Sequence, residues 1–213
     1  MPFLFDPPAP ATVTIEGRGD YPIRRIFCVG RNYAEHAAEM GNEVDRAAPF
    51  YFTKSPAHAV AGGDWTYPPG TSDLHHEVEL VVALDEGGAV MAAGVGLDMT
   101  RRDLQAVAKE KRRPWDVAKD FEGAAILGQF LPLEEIGAHE ISLSVNGAVR
   151  QSGNTRDLIH DIPALLAHLG TLYDLGAGDL IMTGTPAGVG AVTQGDLLSA
   201  QIEGLPPLEV RIV

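Results

Sequence analysis

Residues 75–82, His-His-Glu-Val-Glu-Leu-Val-Val, constrain the fold more than any other stretch of the chain. The apolar run after Glu79 is that of a buried β-strand, and side chains along a strand alternate between its two faces. Glu77 and Glu79 therefore share a face at the head of an otherwise dry segment. Two like charges at that spacing repel, and burial raises the pKa of at least one unless a cation stands between them. An exposed strand end with a polar outer face would remove the difficulty. So would a divalent metal, which would turn the pair into a site.

Asp98, in the stretch GVGLDMTRRDLQ, is the candidate third ligand, because it falls at the boundary between a strand and a helix. Three carboxylates suit a hard ion such as Mg²⁺ or Mn²⁺, with Ca²⁺ also admitted, and do not suit structural zinc. They leave coordination positions open for water and substrate.

The rest of the composition narrows the classes. A chain of 213 residues, 45% of them hydrophobic, can bury one substantial core. High Gly (24) and Pro (15) counts favour short strands and turns over a helix bundle. The formal charge of −13 argues against nucleic acid or an anionic membrane as partner. The lone Cys28 excludes an internal disulfide framework and a cysteine zinc site. No signal peptide or membrane-spanning run is read, which sets the expectation of a cytoplasmic protein.

Along the chain, residues 1–22 read as an N-terminal extension or small edge hairpin, and 23–213 as the main domain. Strands are expected over 24–30, in the aromatic PFYFTKSP, over 77–84, and in the C-terminal segments DLIMTGTP, DLLSAQIEGL and LEVRIV. Asn146-Gly147 reads as the two-residue turn of a hairpin. Helices are expected over 31–41, over about 100–111 with Thr and Asp near its start, and after residue 155, where Pro163 either kinks the helix or marks its first turn. The fold class is α+β, predominantly β.

Three further clusters bear on chemistry. His36 and Glu39 are spaced i, i+3, so a carboxylate can orient an imidazole as a general base; from spacing alone, a surface pair on an amphipathic helix fits better. The glycine-rich TGTPAGVG lacks the ending of a phosphate loop, but its backbone N–H groups and the Thr185 hydroxyl could hold a carboxylate. The basic run over 109–119 reads as a solvated helix end, with Lys119 set apart from it.

The segments CVGRNYAEHAAEMG, FTKSP, HHEVELVV, GLDMTRRDLQ, RPWDVAKDF and DLIMTGTPAGVG, in that order, resemble the fumarylacetoacetate hydrolase family, in particular its acylpyruvate-hydrolysing branch. The resemblance extends from about residue 24 to the C-terminus. It implies a mixed β-sandwich or roll with a few flanking helices, usually a homodimer, and a divalent ion at Glu77, Glu79 and Asp98. It further implies a catalytic His36–Glu39 dyad with Lys119, and substrate contacts from Arg31, Arg102, Gln105 and Thr185.

The implied reaction is metal-dependent cleavage of an acylpyruvate C–C bond, best matched to fumarylpyruvate giving fumarate and pyruvate. Arg150 and Arg156 are the candidates for its distal carboxylate, and segment 31–41 is a candidate lid. Oxaloacetate decarboxylation or diene-dioate isomerisation would use the same site. A non-enzymatic, β-rich binder of metal or dicarboxylates is the alternative class. Two departures from the family pattern stand out. The connector 85–93 is short, and His160 takes a position where a large apolar residue is usual, reading as a satisfied interior or pocket-edge histidine.

Overall fold

The computed structural model describes residues 3–39, 46–133 and 137–213. A nine-stranded mixed sheet forms the body. Its path runs Gly19–Pro22, Thr12–Ile15, Ala125–Pro132, Val90–Asp98, Val78–Leu84, Asp179–Met182, Arg25–Gly30 and Phe50–Lys54, with Ala59–Ala61 also paired to Ala125–Pro132. A second sheet of five strands (Ala148–Asn154, Glu140–Val145, Leu197–Ile202, Leu208–Ile212 and Gly63–Trp65) covers one face of the first. A third, of three short strands, joins Thr100–Arg101, Leu74–His76 and Gly190–Val192. Helices are few and short: α1 Ala34–Glu39, α2 Arg102–Glu110, α3 Asp116–Lys119 and α4 Ile162–Gly170. This is the predominantly β architecture expected from the sequence.

The apolar run after Glu79 is continuous because Val78–Leu84 is buried on both faces. Leu80 and Val82 point into the core between the sheets, with Leu143, Leu198 and Val210. Val81 and Ala83 point the other way, into a second core with Cys28, Phe130 and Met182.

One expectation needs correcting. The sequence reads as a loop up to His76 and a strand over 77–84, but Leu74–His76 is itself a strand of the small sheet, and the strand of the large sheet starts at Val78, with Glu77 between them. The neighbouring chain makes the same crossing: Val90–Asp98 lies in the large sheet, and Thr100–Arg101 pairs with Leu74–His76. Glu77 and Asp98 occupy matching steps of this transfer, and the Asp98 N–H donates to the Glu77 carbonyl at 2.9 Å.

The short connector takes nothing from Asp98. Asp85 Oδ1 accepts from the N–H groups of Gly87 and Ala89, each at 2.9 Å, closing a tight hairpin. Val90–Asp98 is then paired on both sides. Its second partner, Ala125–Pro132, was not read from the sequence. Gly128, the terminal Pro132 and a register shift between Leu127 and Phe130 weaken its local signal. The Phe130 ring lies against Gly94, where no side chain would fit.

The N-terminal hairpin extends the large sheet, with Ile15 opposite Phe130 in parallel. Asn146 and Gly147 take φ of 52° and 79°, as the two-residue turn requires. Pro163 lies in the first turn of α4, and Asp161 caps that helix by accepting from the Ala164 N–H at 2.8 Å. The expected cap of α2 is absent. Arg101 holds that position with no side-chain hydrogen bond, while Asp103 accepts from Thr71 and Ser72. Residues 40 and 41 of the expected first helix lie outside the described residues. Among the described residues no helix is long and apolar enough to cross a membrane.

Candidate active site

Strand alternation sets Glu79 on the same face as Val81 and Ala83, at the end of the second core, and Glu77, at the step between the two sheets, brings its carboxylate to the same place. One oxygen from each of Glu77, Glu79 and Asp98 lies within 4.8 Å of the others, and all three residues are buried. Three cations surround them. Lys119 Nζ donates to Glu77 Oε2 at 2.7 Å and to Asp98 Oδ2 at 2.8 Å. Arg102 Nη2 donates to Glu77 Oε1 at 2.6 Å. Lys54 Nζ sits 2.9 Å from Asp98 Oδ1 and also donates to the Lys119 carbonyl.

Sequence reasoning gave Lys54 no role, although it lies in the quoted FTKSP segment. Its signal was the alternation Phe50, Phe52, Lys54 along an edge strand, in register with Cys28 and Ile26 beside the acids.

Burial alone would raise both glutamates. At Glu77 the charges of Lys119 and Arg102 overcome it and hold the carboxyl well below the usual range. At Glu79 burial is reinforced by Asp98 and Glu77, so its pKa is pushed well up; one N–H, from Gly184 at 2.9 Å, works against this. Burial pulls Lys119 down, but Asp98 and Glu77 more than offset it and leave an ammonium.

The donor set fits a hard divalent ion. Asp98 Oδ1 is buried and accepts no hydrogen bond among the described residues, since the nearby Lys54 ammonium is close enough to pair but poorly directed. A lone pair left open in a cluster of three buried carboxylates is what a cation would fill.

The other expected residues converge on the same cavity. His36, Arg31, Arg102, Gln105, Lys119 and Thr185 all line it. His36 is buried on α1 with Nδ1 3.4 Å from Glu39 Oε2, a long contact. Burial lowers its pKa, more than Glu77 and Glu39 raise it, which favours the neutral imidazole. Glu39 itself is exposed, and its carboxylate accepts from the Gly188 N–H at 3.1 and 3.2 Å.

Two side chains are oriented by neighbours and keep a donor spare. Gln105 Oε1 accepts from Arg102 Nη1 at 2.8 Å, leaving its NH₂ free. Thr185 Oγ1 accepts from Gln151 Nε2 at 2.7 Å, leaving its O–H to donate. Gln151, fully buried, also accepts from His76 and from the Val78 N–H, so it ties Thr185 to the strand that carries Glu79. A register shift in its hairpin, which leaves Arg150 unpaired, aims it inward.

Four expectations change. The glycine-rich 183–190 segment does hold carboxylates, but they are the chain's own: Glu79 on Gly184, whose φ of 105° suits only glycine, and Glu39 on Gly188. His160 is pinned by Asn32 through its backbone N–H and carbonyl, yet its Nε2 is buried with no hydrogen-bond partner among the described residues, so it is not satisfied there. Arg150 and Arg156 are exposed and do not line the cavity; Lys109, read as part of a solvated helix end, does. Its signal was spacing: Arg102, Gln105 and Lys109 fall at i, i+3 and i+7, one face of α2.

The family model described as fumarylacetoacetate (FAA) hydrolase C-terminal matches residues 25–213. A fumarylpyruvate hydrolase of Ralstonia sp is 42% identical over 81% of this chain and 98% of its own length. A mitochondrial oxaloacetate decarboxylase of Dictyostelium discoideum is 39% identical over 85% of this chain and 90% of its own. Among solved structures, a Pseudomonas aeruginosa fumarylpyruvate hydrolase in complex with Mn²⁺ and pyruvate superposes with a TM-score of 0.95 at 40% identity, covering 100% of this chain and 99% of that one.

Proposed function

Given that the chain belongs to the fumarylacetoacetate hydrolase family, we propose that it hydrolyses the C–C bond of an acylpyruvate, with fumarylpyruvate as substrate and fumarate and pyruvate as products. The observation that carries this reading is the meeting, in one cavity, of a neutral-favouring imidazole with a buried three-carboxylate cluster and its lysine. A binder of metal or dicarboxylates has no use for the imidazole.

Glu77, Glu79 and Asp98 would hold a divalent ion, which would supply Lewis acidity at the keto oxygen beside the substrate carboxylate. Gln105 and Thr185 present spare donors to that carboxylate, and Arg102 fixes the direction of the Gln105 amide. His36 has Nδ1 turned toward Glu39, which leaves Nε2 to take a proton from water. The resulting hydroxide adds to the distal carbonyl. Collapse of that adduct breaks the C–C bond and releases the acid, while the electron pair moves into the pyruvate enolate. Lys119 uses two of its three N–H bonds on Glu77 and Asp98 and has one left for the enolate oxygen. The proton that His36 took from water then passes to the enolate carbon, which completes pyruvate and restores the neutral imidazole.

Oxaloacetate is the second reading, supported by the decarboxylase relative; loss of CO₂ would yield the same enolate on the same groups. The test is the ultraviolet absorbance of fumarylpyruvate, acetylpyruvate and oxaloacetate, followed with Mn²⁺ and then with EDTA. Rapid metal-dependent loss of fumarylpyruvate, with fumarate and pyruvate formed, is expected. Turnover of oxaloacetate alone would move the assignment to a decarboxylase.

Three features extend the proposal. The catalytic unit starts near residue 23. The described part of the 31–41 segment, up to Glu39, acts as a lid, and equal hydrogen exchange in α1 with and without oxalate would count against that. The protein works as a cytoplasmic homodimer; exposed Phe3, Leu4 and Phe5 supply apolar surface for association, and sedimentation of a monomer at micromolar concentration would refute it.

A further inference from the structure

Five cationic side chains line or border the cavity, and they divide into two groups. Lys54, Lys119 and Arg102 are each paired with a carboxylate of the acidic cluster. Arg31 and Lys109 have no carboxylate partner among the described residues, although both line the cavity. Both rest instead on the indole of Trp115, with Lys109 Nζ 5.2 Å and Arg31 Cζ 6.0 Å from the ring centroid. Phe50, whose ring packs edge-on against Trp115 at 5.1 Å, lies 5.8 Å from the same guanidinium. Aromatic faces hold a cation in place without neutralising it.

Two unneutralised cations on one aromatic platform form an anion site. Burial, followed by the charges of Arg102 and Arg31, lowers the Lys109 pKa, so an anion placed between these groups would relieve real repulsion. The placement also has a length. Lys109 lies seven residues along α2 from Arg102, an axial rise of about 10 Å. That separation suits a seven-carbon chain whose two terminal carbons are carboxylates.

We infer that Lys109 and Arg31, seated on Trp115, bind the distal carboxylate of a long dicarboxylic acylpyruvate and thereby set the preference for fumarylpyruvate over acylpyruvates that end in a methyl group. This rests on the acylpyruvate-hydrolase reading. It gives the basic run that begins in the last turn of α2 a use at its first residue, while Lys111, Arg112 and Arg113 stay exposed.

The test is steady-state kinetics of the Mn²⁺-loaded full chain on fumarylpyruvate and on acetylpyruvate, which lacks the distal carboxylate. Lys109→Met should raise KM for fumarylpyruvate roughly 10- to 100-fold, as for loss of a charge-assisted hydrogen bond, and leave kcat/KM for acetylpyruvate within about twofold. Lys109→Arg should recover most of the loss. Lys109 is partly exposed, so both variants should fold, and the acetylpyruvate rate reports that directly. Equal losses on the two substrates, or an unchanged KM for fumarylpyruvate, would overturn the inference and leave C–C hydrolysis intact. Wild-type protein that turns over neither substrate would overturn the hydrolase reading itself, and this inference with it.

Discussion

Replacing Lys119 by methionine removes one ammonium from a site built around charge. The side chain is 4% exposed and donates to two buried carboxylates, at 2.7 and 2.8 Å. Breaking a buried pair from one side costs about 3–5 kcal/mol, with the lower end applying where a carboxylate takes up a proton. For a chain of this size that lowers the melting temperature by roughly 6–20 °C. The second half of the prediction concerns the metal. An ion held by Glu77 and Asp98 shares those carboxylates with the ammonium, and charges at such range repel by a few kcal/mol at an effective dielectric near 20. Mn²⁺ should therefore bind Lys119→Met at least about tenfold more tightly than wild type, and should restore more stability to the variant than it adds to wild type. Urea unfolding in EDTA and in excess Mn²⁺, with calorimetric titration of the metal, reads both. Unchanged stability in EDTA, or weaker Mn²⁺ binding by the variant, would refute this account of the lysine.

Other outcomes are equally specific. His36→Ala should abolish turnover and leave Mn²⁺ affinity within about threefold in a direct titration. Burial lowers the wild-type imidazole below its ordinary 6.5, so kcat/KM should climb as pH rises through a value under that figure and be level by neutrality. Asp179 is buried, which would raise it, but Arg25 and Arg24 hold it below its usual 3.8. Its contribution is thus present above about pH 4 and fades as pH falls through the lowered value. Asp179→Asn should cost about 2 kcal/mol at pH 7, a deficit that shrinks in acid unfolding curves. Gln151→Leu strands the Val78 N–H and the Pro186 carbonyl; a loss of about 2–4 kcal/mol is expected in urea, with a raised KM because Thr185 loses its anchor.

The acidic cluster was legible because strand period and charge repulsion are local properties: Glu77 and Glu79 had to share a face, and Asp98 stood at a strand end. The helical pair His36 and Glu39 could be spaced but not placed. Only the fold brings α1 over the cavity. Lys54 and Lys109 went unassigned because a lone lysine on a strand or helix reads as solvent-facing until something covers it. The break at Glu77 was invisible because His76 and Val78 suit either sheet equally, and only the crossing of a neighbouring chain at Asp98 fixes where the pairing changes. Ala125–Pro132 was hidden by its own glycine and proline.

Glu39 has one carboxylate and two tasks, since it faces His36 and also receives the Gly188 N–H. The contact between α1 and the glycine-rich segment is made by the same carboxylate that faces the imidazole. Lifting α1 from that segment would unlatch the helix and disarm the base in a single movement. Such an interlock would keep a reactive base from working on an open pocket, and it makes Glu39 a residue whose loss should appear in closure and in chemistry together.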